Sequence, residues 1–100
     1  MSDSHSRAKL LNELVSLGQK DDVRMLVQGE EYDINGRDKY GVGVVMKAVM
    51  RNDYEMLEML IDLGAKVNVK WLTGESAYEC AKGKGYDSIA NLIKKNLDKS

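Results

Sequence analysis

An all-α array of about six short helices is what the order of residues in this 100-residue chain predicts, and three observations carry the prediction. Blocks of residue classes recur at a spacing of 33 to 34 positions, each block holds two apolar-periodic stretches, and Gly, Asn and Asp interrupt the stretches at matching places. At a shift of 33, Asn35 falls on Asn68, Gly41 on Gly74, Ala48 on Ala81, Asn52 on Gly85, Met56 on Ile89, Met59 on Leu92 and Leu60 on Ile93. At a shift of 34, Leu14 falls on Ala48, Gly18 on Asn52, Val23 on Leu57, Met25 on Met59 and Leu26 on Leu60. One unit of helix, turn, helix and long loop is therefore seen three times, the first without its front end.

The elements follow in order. The first unit holds helices over Arg7–Leu17 and Asp21–Gln28, the middle unit over Val44–Arg51 and Tyr54–Leu63, and the last over Ser76–Lys84 and Ser88–Leu97. Asn52-Asp53 and Gly85-Tyr86-Asp87 turn the chain between helices, and Gly64 ends the fourth helix at the left-handed position that glycine tolerates best. Ser76 with Glu79 three residues on has the spacing of a capping box. Helices shorter than about 12–15 residues are marginal alone in water, so only stacking can hold these. Met56, Leu57, Met59, Leu60 and Leu63 form the stripe that the middle unit aims at a neighbour. The organisation expected is a flexible leader over 1–6, one domain over 7–97 with units near 7–34, 35–67 and 68–97, and a tail over 98–100.

Two segments carry a family resemblance. Asp38-Lys39-Tyr40-Gly41-Val42-Gly43-Val44-Val45-Met46-Lys47-Ala48 and Leu60-Ile61-Asp62-Leu63-Gly64-Ala65-Lys66-Val67-Asn68 resemble the front and the helix-two ending of the ankyrin repeat, with the second match the stronger. The resemblance covers about Lys9 to Leu97. It implies an ankyrin-like solenoid of short antiparallel helices with β-turn loops, whose loop tips and first helices form a concave face that in this family commonly binds protein. The family's Thr-Pro-Leu-His start is replaced by Gly43-Val44-Val45-Met46 and Ser76-Ala77-Tyr78-Glu79, in a chain with no proline at all. The hydrogen-bond network that this tetrapeptide supplies in the family is missing from the sequence, which lowers the expected stability.

Composition bounds the chemistry. Fifteen Lys and Arg stand against 16 Asp and Glu, so the charge surplus of a general nucleic-acid binder is absent. A single cysteine makes neither an internal disulfide nor a Cys-based zinc site, and no apolar run approaches the roughly 20 residues of a membrane span. The start Met1–Arg7 has no apolar stretch of a secretory signal, so the expected location is cytoplasmic. His5 and Cys80 lie far apart in sequence, which gives Cys80 no base and leaves it as small core filler. Asp21-Asp22 and Glu30-Glu31 read as dipole complements or solvated charge, Gly83-Lys84-Gly85 as an inter-helix turn, and Lys82, Lys84, Lys94 and Lys95 as the polar face of a terminal unit. No enzymatic activity, cofactor or metal is expected.

What remains is a surface for a partner. Carried onto this chain, the family's variable contact positions are Lys39, Tyr40, Val42, Met50 and Arg51 in the middle unit, and Trp71, Leu72, Thr73, Glu75, Gly83 and Lys84 in the last, with Ser16 and Leu17 corresponding in the first. Tyr, Trp, Met and Arg are types enriched at interface hot spots. The competing reading has Trp71 folded over the last unit and Tyr40 packed on Gly43. The functional expectation is a non-catalytic module that binds another protein as an inhibitor or adaptor. The alternative is self-association into a homodimer through Trp71-Leu72 or through Leu10, Leu11 and Leu14. The weakened helix start generates the first prediction: stability is modest, and the thermal midpoint read by circular dichroism does not lie well above about 65 °C, the upper range of mesophilic domains.

Overall fold

The computed structural model describes residues 4–29, 32–37 and 41–97, with no side chain described at 4–6. Six helices result: α1 (Ser4–Ser16), α2 (Lys20–Gln28), α3 (Val44–Met50), α4 (Tyr54–Asp62), α5 (Ala77–Gly83) and α6 (Asp87–Leu97). Among the described residues there is no strand, only a single antiparallel bridge between Lys70 and Ser76. The first helix starts at Ser4, inside the stretch 1–6 expected as a leader, and α6 starts one residue ahead of the expected Ser88. The expected tail, 98–100, lies outside the described residues.

Local chemistry explains the helix boundaries. Asp53 caps α4 by accepting the Met56 N–H at 3.1 Å. Ser76 and Glu79 form the complete capping box of α5, with Ser76 Oγ accepting the Glu79 N–H at 3.0 Å and Glu79 Oε1 accepting the Ser76 N–H at 3.2 Å. Asp21 and Asp22 place negative charge on the first turn of α2, and Lys94 and Lys95 place positive charge on the last turn of α6, both complementing the helix dipole. By contrast, Gly43 at the N-cap position of α3 supplies no side-chain cap.

The shift seen in the sequence returns as backbone geometry. Gly18, Asn52 and Gly85 close α1, α3 and α5 in the left-handed region, with φ of 74°, 54° and 76°. Each turn makes the same pair of bonds: Gly18 N–H to Val15 O and Gln19 N–H to Leu14 O, Asn52 to Val49 and Asp53 to Ala48, Gly85 to Lys82 and Tyr86 to Ala81. These bonds satisfy the last carbonyls of each helix and fold the chain back on itself. Consequently α1 packs on α2, α3 on α4, and α5 on α6.

Between the pairs, α1 meets α3, α3 meets α5, and α4 meets α6. The core runs through these contacts. α3 buries Val44, Val45, Met46, Ala48 and Val49, and α4 buries Met56, Leu57, Met59 and Leu60. Full burial of a side chain of this size stabilises by about 1.5–3 kcal/mol. Polar links cross between the helix pairs as well. Asn12 Nδ2 of α1 donates to Val42 O at 2.9 Å, Arg51 Nη1 donates to Ser16 O at 3.0 Å, and Lys20 Nζ donates to Glu55 Oε2 at 2.6 Å. Asn35 Oδ1 accepts the Lys66 N–H at 2.9 Å, tying the loop before α3 to the loop after α4.

The turns separate two energetic effects. A Cβ at Gly85 meets nothing within 4 Å, so Gly85→Ala carries only the left-handed strain of about 1–2 kcal/mol. A Cβ at Gly18 would stand 2.6 Å from Arg51 Nη2 and push the guanidinium off Ser16 O, adding the loss of that hydrogen bond, about 0.5–1.5 kcal/mol. In urea unfolding, Gly18→Ala is expected to destabilise more than Gly85→Ala, and the difference is expected to vanish in an Arg51→Ala background.

Candidate functional site

The loop from Val67 to Ser76 forms a narrow finger in front of α5. Trp71 N–H donates to Glu75 O at 2.8 Å, Gly74 N–H to Trp71 O at 2.9 Å, and Ala77 N–H to Val69 O at 3.0 Å, and Lys70 bridges Ser76. Gly74, at φ 96°, supplies the left-handed residue that the tip requires. The finger is thus a small hairpin rooted on the α5 capping box. At its tip Leu72 is 85% exposed, while Trp71 is half-buried against the core. The Leu72 side chain leans across to the neighbouring loop, its Cδ2 lying 3.2 Å from where a Cβ on Gly41 would stand. Thr73 and Glu75 are exposed beside it.

A second cluster forms where α1, α3 and α5 end. Leu17 is 66% exposed and Met50 45% exposed, with Ser16, Arg51, Gly83 and Lys84 exposed alongside. Met50 Sδ lies 4.0 Å from Cys80 Sγ, joining the end of α3 to α5. Arg51 is committed to structure: besides Ser16 O, its Nε donates to Asp53 Oδ2 at 3.1 Å. Val42 is half-buried, packs on the core and offers its carbonyl to Asn12. Lys39 and Tyr40 lie outside the described residues. Of the helix set considered for self-association, Leu11 is buried and Leu14 half-buried against the protein's own core, which leaves Leu10 as the exposed member.

Comparison with models of known protein families and with curated proteins returns no match. The arrangement must therefore be read from its own chemistry. Cys80 is buried, and among the described residues no group of three or more His, Cys, Asp or Glu side chains could hold a metal ion. No helix among the described residues is long and apolar enough to cross a membrane.

One feature gives no signal in the motif pattern. Between the loop preceding α3 and the loop following α4 lies a cleft of about 260 Å³, floored by Ile34, Val45 and Val69 and rimmed by Arg37, Lys66 and Lys70. Its basic residues are too far apart in sequence to read as a run, and only the folding of two loops side by side collects them.

Two charges are set by local bonds. Glu79 is held below its ordinary value of 4.5, first by the Ser76 N–H, then by the Ser76 hydroxyl, with Lys70 adding to the effect. Lys20 is held above 10.5 by its hydrogen bond to Glu55. A carboxyl with a depressed folded pKa contributes stability that is complete above the unfolded value and lost as pH falls through the folded one. Glu79 therefore supports the finger at neutral pH and releases it below 4.5. The fall in melting temperature between about pH 5 and pH 3 is expected to be smaller in Glu79→Gln than in the wild type, measured by thermal scans at matched ionic strength.

Proposed function

We infer that the chain is an ankyrin-type stack of three helix pairs that binds a partner protein without catalysis, acting by occupancy as an inhibitor or adaptor. The repeat reading is supported by the left-handed turns at Gly18, Asn52 and Gly85, by the shared bonds around them, and by the contacts of α3 with both α1 and α5. Asn12 falls on Met46 at the shift of 34 and donates to the next loop at Val42 O, which supplies a link between units where the Thr-Pro-Leu-His network is missing.

The observation that carries the binding reading is Leu72. A large apolar side chain at 85% exposure, held on a hairpin with paired backbone, loses little conformational freedom when a partner covers it. Leu17, Met50, Thr73, Glu75 and Lys84 are the remaining contact residues of this proposal, with Val42 at its edge. Trp71 and Arg51 act as supports, the first beneath the finger and the second between α1 and α3.

The test uses a variant that leaves the core intact. Affinity capture with wild type and Leu72→Asp, followed by mass spectrometry, is expected to show the wild type's specific partner recovered at least about tenfold less with the variant. Equal recovery would overturn the proposed face. Light scattering separates the self-association alternative: a dimer that Leu72→Asp dissolves would make a second copy the partner, and a monomer at high micromolar concentration keeps the face for another protein.

A further inference from the structure

Four positions of the helix pair show which of its sides expects a neighbour. Leu10 falls on Val44 and then on Ala77 at the successive shifts of 34 and 33, Leu14 on Ala48 and Ala81, Met25 on Met59 and Leu92, and Leu26 on Leu60 and Ile93. In the second and third pairs all of these residues are buried. In the first pair Leu10 is exposed, Leu14 and Leu26 are half-buried, and Met25 is 68% exposed where Met59 is 6% and Leu92 8%.

The two ends of the array differ in what they lack. α5–α6 has a pair on one side, α3–α4, and its four positions are closed. α1–α2 also has a pair on one side, again α3–α4, yet the same positions are open. The open side is therefore the one that turns toward a preceding pair, which α1–α2 lacks among the described residues. A helical array keeps its ends soluble with a polar outer face, and α6 has one in the exposed Asp87, Ser88, Asn91, Lys94 and Lys95. The α1–α2 end instead carries apolar side chains at stacking positions, the mark of an interaction surface.

Charge selects the occupant. On α1 the exposed Lys9 and Glu13 each adjoin one of the leucines, and on α2 the exposed Asp22 and Arg24 stand within a turn of Met25. Each helix thus carries one charge of each sign. Asp22 holds the place where Met56 and Ile89 are buried in the other pairs, so a wholly apolar occupant would leave its carboxylate uncompensated. A partner face of one sign would set half of these groups against like charge, whereas an identical face turned about a two-fold axis brings cation to anion. Turned in that way, α1 of one copy runs antiparallel to α1 of the other, Leu10 faces Leu14, and Lys9 comes over the turn that carries Glu13.

We propose that the outer face of α1–α2 is the contact between two copies of this chain, with Leu10, Leu14, Met25 and Leu26 meeting their equivalents across a two-fold axis. This goes beyond the partner-binding reading and makes no use of the finger. The α5–α6 pair and its hairpin stay outside the contact, so the dimer presents two fingers, one from each copy.

The test is light scattering of the whole chain from about 10 µM to about 1 mM, the range in which a contact of modest area shows its dissociation constant. The wild type is expected to approach twice the monomer mass and to stop there, because an isologous contact closes at two copies. Met25→Glu and Leu10→Gln, both at exposed positions and both checked for wild-type helicity by circular dichroism, are expected to raise the dimer dissociation constant at least about tenfold. Leu72→Asp is expected to leave it unchanged. A monomer throughout the range, growth beyond two copies, or a dimer indifferent to both substitutions would each overturn the proposal. A dimer dissolved by Leu72→Asp would overturn it as well and place the contact on the finger. Full partner recovery by Leu72→Asp with the dimer intact would discard the hairpin face and keep this one.

Discussion

The described core turns on α3, which packs on α1, α4 and α5. It has seven residues, follows Gly43 without a side-chain cap, and could not persist as an isolated helix. It forms because five of its residues are buried by α1 on one side, α5 on the other and α4 behind. A missing cap is worth about 0.5–2 kcal/mol, and glycine recovers most of that at such a position. Burying one Val or Met contributes a similar or larger amount, so several together outweigh the loss even when the compactness of unfolded chains is allowed for. The local signal for a helix start is weak here, and packing overrides it.

That division explains what was legible in the order of residues. Helix positions, the Ser76–Glu79 capping box and the turns at Gly18, Asn52 and Gly85 depend on neighbours three to five places away, and they could be read directly. The start of α1 at Ser4 was missed because Ser4, His5 and Ser6 carry no apolar periodicity. The roles of single site residues were harder, since they depend on partners some 30 or more positions distant. Arg51 looks like a surface cation, yet its guanidinium is taken by Ser16 and Asp53. Trp71 looks like exposed apolar surface, yet its ring is half-buried and the exposure falls on Leu72. The basic cleft is collected from two loops, and no spacing rule anticipates it.

Asn12 shows how the pairs are kept in register. It is the buried polar side chain of the described core, 3% exposed, and it donates to Val42 O while its own Oδ1 has no partner. An unmatched buried acceptor is costly, about 1–3 kcal/mol. Apolar contacts between α1 and α3 tolerate small slips, whereas a directed bond from Asn12 to the loop ahead of α3 does not. The polar residue therefore weakens the core slightly and fixes which loop stands over which helix.

The two ends of the molecule are held unequally. Val23 is the buried residue of α2, Gln19 at that helix's N-cap position gives no side-chain cap, and its bridge from Lys20 to Glu55 is solvent-exposed. At the other end α6 buries Ile89, Ala90, Leu92 and Ile93 and packs on both α5 and α4. Free energies of local opening follow buried apolar contact, which makes α2 the least protected of the helix pairs' second members. With one buried residue in α2 against four in α6, the hold on the chain is weakest at α2, on the side away from the finger's own helix pair.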